Sequence, residues 1–458
     1  MKQTEKKAKL TFAGGVGGPT GANFLFEADG KKILIDCGLE QGSKMAEDEN
    51  RRPFTYDPAS VDMLFLTHAH LDHLGRIPFL VKNGFRGKIY CTPPTHELAE
   101  PMYEDALGLL THEAEKAGLL PLYNADDVKK ALSLFESIPY HKEFKISPEI
   151  TAVLHDAGHI LGSAMVEIRY GSKKILFTGD LGNSPSLLLK DTENVQGIDY
   201  LLMESVYGDR AHENRDKRGE LLRSEIEDTV RRKGVLLIPL FSLERTQDIL
   251  FEINHLVEKK MIPEIPVFLD SPLAIKITEV YKNNIKYFND SAKALSQSGD
   301  NIFAFPRLKL TPTVEESKGI RRVHAPKIVM AGSGMSNGGR IIFHERDYLS
   351  DSKNTLLLVG YQAAGTLGRR LQEGERHITI FGEDIEVNAH IANIEGYSAH
   401  RDMNGLFDFV HQMEGSVKKV FPVMGETKAS TFFAQKIRDY MGINAFVPRK
   451  DETIELNF

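Results

Sequence analysis

Tryptophan, cysteine and long apolar runs are scarce or absent in this sequence of 458 residues. The lack of tryptophan means that no indole ring is available for stacking on nucleic-acid bases. With cysteine only at Cys37 and Cys91, a disulfide framework and a cysteine-rich zinc ribbon are excluded. No apolar run is long enough to cross a bilayer, and the N-terminal segment is charged rather than apolar. We therefore expect a cytoplasmic protein without a membrane partner.

The sequence is also not basic overall. The chain has 57 Lys and Arg against 64 Asp and Glu, which gives a formal net charge of -7. A protein that coats nucleic acid with a broad surface needs a basic balance, so this class is disfavoured. A narrow active-site groove is still allowed, because bound cations and clustered arginines add positive charge locally.

Metal-binding residue types are concentrated in one short segment. Residues 68–73 read His-Ala-His-Leu-Asp-His and follow an apolar run, 63–67, that predicts a buried strand. Loops at strand ends often carry chemistry, and imidazole with carboxylate suits zinc and its first-row neighbours. A histidine-rich surface loop is the alternative, but such a loop would not come with a second, distant set of ligands.

That second set follows other predicted strands. His159 lies on a glycine-flanked turn. Asp180 ends the strand at 174–180, and Asp36 ends the strand within residues 32–38. A single aspartate at a strand end near glycine is more often only a turn residue. Because separate strand ends of one sheet can meet at a common point, we expect His159 and Asp180 to converge with the 68–73 segment.

The order of these residues resembles the metallo-β-lactamase fold, and further segments resemble its β-CASP branch. Residues 201–210, which contain Glu204, are similar to the acidic motif of that branch, and residues 395–400 are similar to its later histidine motif. Residues 332–335 and 360–370 are similar to segments of its inserted domain. The β-CASP proteins include the messenger-RNA 3′-end processing endonuclease and ribonucleases of bacteria and archaea. The resemblance covers nearly the whole chain.

For the fold, the resemblance implies an α/β protein, an αββα metallo-β-lactamase sandwich with an inserted β-CASP domain that contains a parallel sheet. The alternation of predicted strands and helices after Glu204 agrees with such an insertion. We place the first part of the sandwich at 1–206, the inserted domain at 207–376 and the second part at 377–458. The active site is expected in the cleft between the two domains, and the polar segment 289–300 is predicted to be a mobile loop.

For the activity, the resemblance implies a zinc-dependent ribonuclease that hydrolyses RNA phosphodiester bonds with metal-activated hydroxide. Asp72, Glu204 and His400 are its expected catalytic residues. His400 would protonate the leaving oxygen and Glu204 would hold the tautomer of that imidazole. Asp36 is expected to be structural. The expected ligands of two Zn²⁺ ions are His68, His70, Asp72, His73, His159 and Asp180, the last of which bridges the two ions.

One position departs from the family pattern. The family has a metal-binding histidine in a strand-end His-Gly-Glu, whereas this chain has methionine at Met424. A neutral, soft thioether is a poor substitute for imidazole at a divalent site. The second ion is therefore expected to bind more weakly, and a weakened or non-catalytic RNA-binding homologue is an open alternative.

Substrate phosphates away from the cleaved bond need donors. The candidates are Ser333, Gly334, Ser336, Arg245, Arg369 and Arg370. The first three lie in a glycine-rich segment between a predicted strand and a predicted helix, where backbone N–H groups can form an anion cradle. The alternatives are a tight turn without a ligand for that segment and a solvated helix face for the arginine pair.

A hydrolase of small esters with the same fold is a further alternative. The predicted inserted domain and the motifs around Glu204 and His400 count against it. The sequence leaves open whether RNA is cut internally or from a 5′ end, which RNA is preferred, and whether DNA is cut. It also leaves open how many subunits assemble, a homodimer included.

Overall fold

The computed structural model describes residues 6–42, 44–212, 215–363 and 365–458. They form two compact units. The first combines the chain up to Ala211 with His400–Phe458, and the second is His212–Ala399.

In the described residues the strands are β1 (Lys7–Phe12), β2 (Phe24–Ala28), β3 (Lys31–Ile35), β4 (Met63–Phe65), β5 (Lys88–Cys91), β6 (Phe135–Ser137), β7 (Phe144–Lys145), β8 (Ile150–Asp156), β9 (Ala164–Tyr170), β10 (Lys173–Phe177), β11 (Tyr200–Glu204), β12 (Val235–Pro239), β13 (Val267–Asp270), β14 (Leu308–Leu310), β15 (Lys327–Ala331), β16 (Thr355–Val359), β17 (His377–Ile380), β18 (Glu383–Glu386), β19 (His390–Ile394), β20 (Lys419–Val423), β21 (Asn444–Ala445) and β22 (Thr453–Asn457). The α-helices are α1 (Lys44–Arg51), α2 (Leu71–Leu74), α3 (Ile77–Lys82), α4 (Pro93–Ala117), α5 (Ala125–Leu132), α6 (Arg218–Arg231), α7 (Arg245–Glu258), α8 (Pro272–Asn283), α9 (Asp290–Gln297), α10 (Val314–Gly319), α11 (Ile341–Tyr348), α12 (Leu367–Gln372), α13 (Met403–His411) and α14 (Thr427–Met441).

The first unit is built on two seven-stranded sheets. Their spatial orders are β22-β1-β2-β3-β4-β5-β6 and β21-β20-β11-β10-β9-β8-β7. The sheets pack face to face through a shared apolar core, in which Phe12 contacts Phe421 and Phe26 contacts Phe177 across the interface. A second core covers the other face of the latter sheet with residues of α13 and α14. This layering confirms the predicted αββα sandwich.

Two hairpins follow directly from the local sequence. β2 and β3 are joined by Asp29 and Gly30, which both have positive φ, as a tight two-residue turn of this kind requires. β9 and β10 are joined by a two-residue turn that begins at Gly171, also with positive φ.

The second unit contains a six-stranded sheet in the order β14-β13-β15-β12-β16-β19, and all of its pairings are parallel. β12, β15 and β16 are buried along their whole length, as expected for strands covered on both faces by helices. The predicted parallel sheet of the inserted domain is therefore confirmed.

Two details of the second unit differ from the sequence-based expectation. The segment predicted as a mobile loop contains helix α9, because Asn289 caps it by accepting a hydrogen bond from the N–H of Ala292 and helix-forming residues follow. The second boundary also lies later than residue 377. β19 pairs with β16, so the chain returns to the first unit only at His400.

No helix in the described part of the chain combines the length and the apolar character that a membrane span requires.

Candidate metal centre

The centre lies in the first unit, where several parallel strands end at the same edge of their sheets. β3 and β4 run parallel and lead to Asp36 and His68. β10, β11 and β20 run parallel in the other sheet and lead to Asp180, Glu204 and Met424. Because parallel strands present their carboxyl ends on one side, these distant sequence positions are brought close together.

The 68–73 segment leaves β4 and turns at once into the short helix α2. His70 is the N-cap of this helix, and the N–H groups of His73 and Leu74 both donate to its carbonyl oxygen. This turn buries His68 and His73 completely and leaves His70 and Asp72 partly exposed. A neighbouring segment passes very close, since a Cβ atom on Gly38 would lie 1.5 Å from the carbonyl oxygen of Asp72. Only glycine fits there.

Two groups of ligand atoms share Asp180. One consists of His68, His70, His159 and Asp180, and the other of Asp72, His73 and Asp180, each with its ligand atoms within 4.8 Å of one another. Oδ2 of Asp180 lies 3.5 Å from Nε2 of both His68 and His159, and Oδ1 lies 3.4 Å from Nε2 of His73.

The donor set fits divalent cations. Nε2 of His73 and Oδ1 of Asp180 are buried and make no hydrogen bond with the described residues. Buried polar atoms are normally satisfied, so two such atoms facing each other indicate a missing partner. Imidazole nitrogens and carboxylate oxygens are the ligands that zinc and neighbouring ions take.

Asp36 lies behind His73 and belongs to neither ligand group. Its carboxylate is 2.7 Å from Nδ1 of His73 and also accepts hydrogen bonds from the N–H and the hydroxyl of Thr67. A carboxylate in this position fixes the tautomer of the imidazole, so that the lone pair of Nε2 points toward Asp180.

The turn after β8 delivers His159. The carboxylate of Asp156 accepts from the N–H of Gly158, which has positive φ, and the hydroxyl of Ser163 accepts from the N–H of His159. Thr67 and Ser163 were not singled out from the sequence. The only sequence feature that marks them is a hydroxyl side chain within a few positions of a ligand. This feature is too common to identify a functional residue.

A third group of acidic and imidazole side chains adjoins the second. Oε1 of Glu204 accepts from the N–H of Leu181 at 2.6 Å and lies 3.3 Å from Nδ1 of His400. The same nitrogen is 3.8 Å from Oδ2 of Asp180. Gly182 and His400 form an isolated antiparallel bridge, which explains how a histidine so late in the chain reaches this edge.

The electrostatic environment divides the histidines. Burial and the neighbouring His73 lower the pKa of His68 well below its usual value. Burial also works against a charge on His400, but the carboxylates of Glu204 and Asp180 outweigh it and raise the pKa of His400 to about 9. Burial raises the pKa of Asp72 to about 6. His68 therefore stays a neutral ligand, while His400 can hold a proton.

Met424 presents a thioether at the end of β20, where the neighbouring strands present carboxylates. It follows β20 with positive φ, its N–H donates to the carbonyl oxygen of Gly15, and its side chain lies in the apolar core with Phe24 and Val423. The thioether thus packs as a core side chain.

The predicted phosphate donors lie in the second unit, and not all of them are accessible. Arg245 is buried with its guanidinium 2.7 Å from the carboxylate of Asp248, and the buried hydroxyl of Ser336 donates to Glu345. Both side chains are buried and have partners inside the unit, which makes them less accessible than the sequence led us to expect.

Three of the remaining candidate donors are closer to solvent. Ser333 is partly exposed in the loop after β15, whereas Gly334 is buried there. Arg369 and Arg370 lie on α12 and pair with Glu373 and Glu375, with more than two fifths of each arginine side chain exposed.

Three family models match parts of the chain. They describe a metallo-beta-lactamase superfamily domain at 25–200, a Beta-Casp domain at 246–371 and a Zn-dependent metallo-hydrolase RNA specificity domain at 384–448.

Similar curated proteins include a ribonuclease of Thermus thermophilus, which is 34% identical over 391 residues, or 85% of this chain and 88% of the relative. An RNase J-like protein of Methanocaldococcus jannaschii is 35% identical over 91% of this chain and 92% of the relative. The transcription termination factor FttA of Methanosarcina mazei is 32% identical over 94% of this chain and 69% of the relative. A solved structure of a protein of unknown function from Enterococcus faecalis covers 98% of this chain with a TM-score of 0.55 and 14% identity, a likeness of fold alone.

Proposed function

The chain belongs to the β-CASP family of metallo-β-lactamase-fold ribonucleases, and we propose that it hydrolyses the phosphodiester bonds of RNA with divalent cations at the centre described above. The observation that carries the proposal is the position of Asp180. One carboxylate faces two separate groups of ligand atoms and also approaches His400. A single residue can thus connect cation binding with proton transfer.

The ligands of the cations are the two groups that share Asp180. Divalent cations bound there would polarise a phosphate oxygen and lower the pKa of a water molecule toward neutrality. Each group has one partly exposed ligand, which is His70 in the first group. In the second group Asp72 is partly exposed, and we assign to it both cation binding and orientation of the attacking water.

His400 is the proposed general acid and Glu204 is its positioning partner. Nδ1 of His400 lies 3.3 Å from Oε1 of Glu204, so this carboxylate orients the imidazole ring. The carboxylates that raise the pKa of His400, Glu204 first, favour a proton on the ring, and this proton can pass to the leaving oxygen. General acid catalysis of this kind contributes about 10²–10⁴-fold to the rate.

Zinc is the proposed cation, because the ligands are mainly imidazoles with a few carboxylates. The missing imidazole at Met424 leaves the second group with three protein ligands, and we propose that this ion is bound more weakly than the first. A scaffold without activity is not favoured, since the other expected ligands are all present and grouped.

Contacts to more distant phosphates are proposed for Ser333, Arg369 and Arg370 only, because Gly334 is buried. Arg245 and Ser336 are withdrawn because their polar groups are paired inside the second unit. A cytoplasmic location, a homodimer and the mode of cleavage stay predictions from the sequence.

The test is cleavage of a 5′-labelled RNA with product mapping at defined zinc concentrations. We expect His68→Ala and Asp180→Asn to reduce cleavage to background, and His411→Ala, an exposed histidine on α13, to leave it unchanged. Small esters are assayed in parallel with the same preparations. Turnover of esters with intact RNA would contradict the proposal, and would favour the small-ester hydrolase instead.

A further inference from the structure

A fourth group of metal-binding side chains lies in the first unit, outside the centre described above. It consists of His141 in the loop before β7, His155 in β8 and Glu193 in the loop before β11. One ligand atom from each lies within 4.8 Å of those of the other two. Nε2 of His141 is 2.7 and 2.9 Å from the two carboxylate oxygens of Glu193, and Nδ1 of His155 is 3.6 Å from the nearer one.

The imidazole of His155 is oriented as a metal ligand would be. Its Nε2 lies 3.2 Å from the buried carboxylate of Glu167, which is also 2.9 Å from the amino group of Lys174. When Nε2–H donates to Glu167, the lone pair of Nδ1 is left on the side of Glu193, 3.6 Å away. Histidines that bind metals almost always donate their second ring N–H in this way, often to a carboxylate.

The backbone holds all three residues against the same strand. His141 has φ of 62°, an uncommon conformation for a residue other than glycine, and its N–H donates to the carbonyl oxygen of Leu154. The N–H of Glu193 donates to the carbonyl oxygen of Asp156. Both loops are therefore fixed beside His155 before any ion arrives, which reduces the ordering cost of binding.

The local charge favours a cation. Burial opposes a positive charge on His155, but its hydrogen bonds and charge interactions with Glu167 and Glu193 prevail and raise its pKa to about 9. Lys174 balances one of the two carboxylates. The remaining negative charge can be balanced by a proton on His155 or by a bound cation.

We infer that His141, His155 and Glu193 form a separate site for one divalent transition-metal ion, with zinc as the fitting species and water as the fourth ligand. The site does not depend on the proposed nuclease activity, because it shares no residue with the catalytic centre. The ion would join two loops to the end of β8. That strand leads through the turn at Gly158 to His159, so the ion would stabilise the segment that delivers this ligand. Without a bound ion, His141 and His155 are joined only through their contacts with Glu193.

The test counts zinc equivalents in the full-length protein by calorimetric titration and elemental analysis. The variants are His141→Asn and Glu193→Gln, and the matched control is Glu414→Gln, which alters the exposed His411–Glu414 pair that has no third ligand in the described groups. We expect each of the first two variants to bind one equivalent fewer than wild type, and the control to bind the same number. Because only the difference is counted, the result does not depend on how many ions the catalytic centre holds.

Cobalt absorption and RNA cleavage complete the design. Co²⁺ bound to the extra site should add a visible absorption band that is missing in both variants and kept in the control. Cleavage by the variants at saturating zinc should stay within about twofold of wild type, since neither residue lies in the catalytic centre. Equal zinc equivalents in wild type and in both folded variants would overturn the inference.

Discussion

Replacing Glu204 by glutamine removes one charge beside the proposed general acid while keeping the shape of the side chain. Glu204 is fully buried and holds both the N–H of Leu181 and Nδ1 of His400. Its carboxylate is the largest of the charge interactions that raise the pKa of His400 to about 9. In Glu204→Gln we expect this pKa to fall toward the ordinary value of about 6.5.

The size of the effect follows from the fraction of protonated imidazole. With the pKa of the metal-free protein, about 9, His400 is almost fully protonated near pH 7.5, whereas a histidine with a pKa of about 6.5 is protonated to roughly a tenth. Asp180 and Asp72 still favour the proton in the variant, so the loss from protonation alone is up to about tenfold. Replacement of His400 itself by alanine should cost more, about 10²–10⁴-fold.

The assay is the pH dependence of kcat for cleavage of a defined RNA at saturating zinc. The rate should decline at high pH as His400 loses its proton, and in Glu204→Gln this decline should begin one to two pH units lower, as an order-of-magnitude estimate. Bound cations lower the pKa of His400 in both proteins, so the prediction concerns the difference between the two profiles. Glu414→Gln is the control. Profiles that coincide in shape would refute the pairing of Glu204 with His400.

The same pair predicts a pH dependence of stability in the metal-free protein. The folded state raises the pKa of His400, so the stabilisation is complete below about pH 6.5 and is lost as the pH rises through about 9. Urea unfolding of wild type should show this decline, and Glu204→Gln should show a smaller one.

Three further predictions concern other residues. Asp72→Ala should abolish cleavage because it removes a cation ligand, while the melting temperature of the metal-free protein stays within a few degrees of wild type, as thermal unfolding will show. Met424→His should tighten the weaker zinc-binding step in a calorimetric titration, because the imidazole turns from the core position of the thioether toward the ion. In the metal-free protein the ring stays in that apolar position, at a cost of about 1–3 kcal/mol in stability; unchanged zinc binding would contradict this. Burial raises the pKa of Glu345 to about 8, so wild type should lose stability as the pH rises from about 4.5 to about 8. Glu345→Gln should flatten that slope in urea unfolding, and equal slopes would count against a buried, neutral Glu345.

Much of the fold could be predicted because its signals are local. The two-residue turns at Asp29–Gly30 and Gly171 fixed two hairpins, and continuous apolar runs predicted the parallel strands of the second unit. Asn124 is a typical N-cap residue type, and it accepts a hydrogen bond from the N–H of Asp127 at the start of α5. The prediction of a loop over 289–300 was wrong, because polar composition outweighed the weaker signal of the Asn289 cap.

The sequence by itself determined which ligand types exist and in what order they follow the strands, because a strand, its turn and the next residue are encoded within a few positions. Only the tertiary structure decided how these side chains combine. It placed Asp36 behind His73, divided Asp180 between two groups, and brought His141, His155 and Glu193 together from distant parts of the chain. It also buried Arg245 and Ser336 with partners of their own. The physical reason is that tautomer, burial and shared ligation depend on contacts between segments far apart in sequence, and no local pattern specifies such contacts.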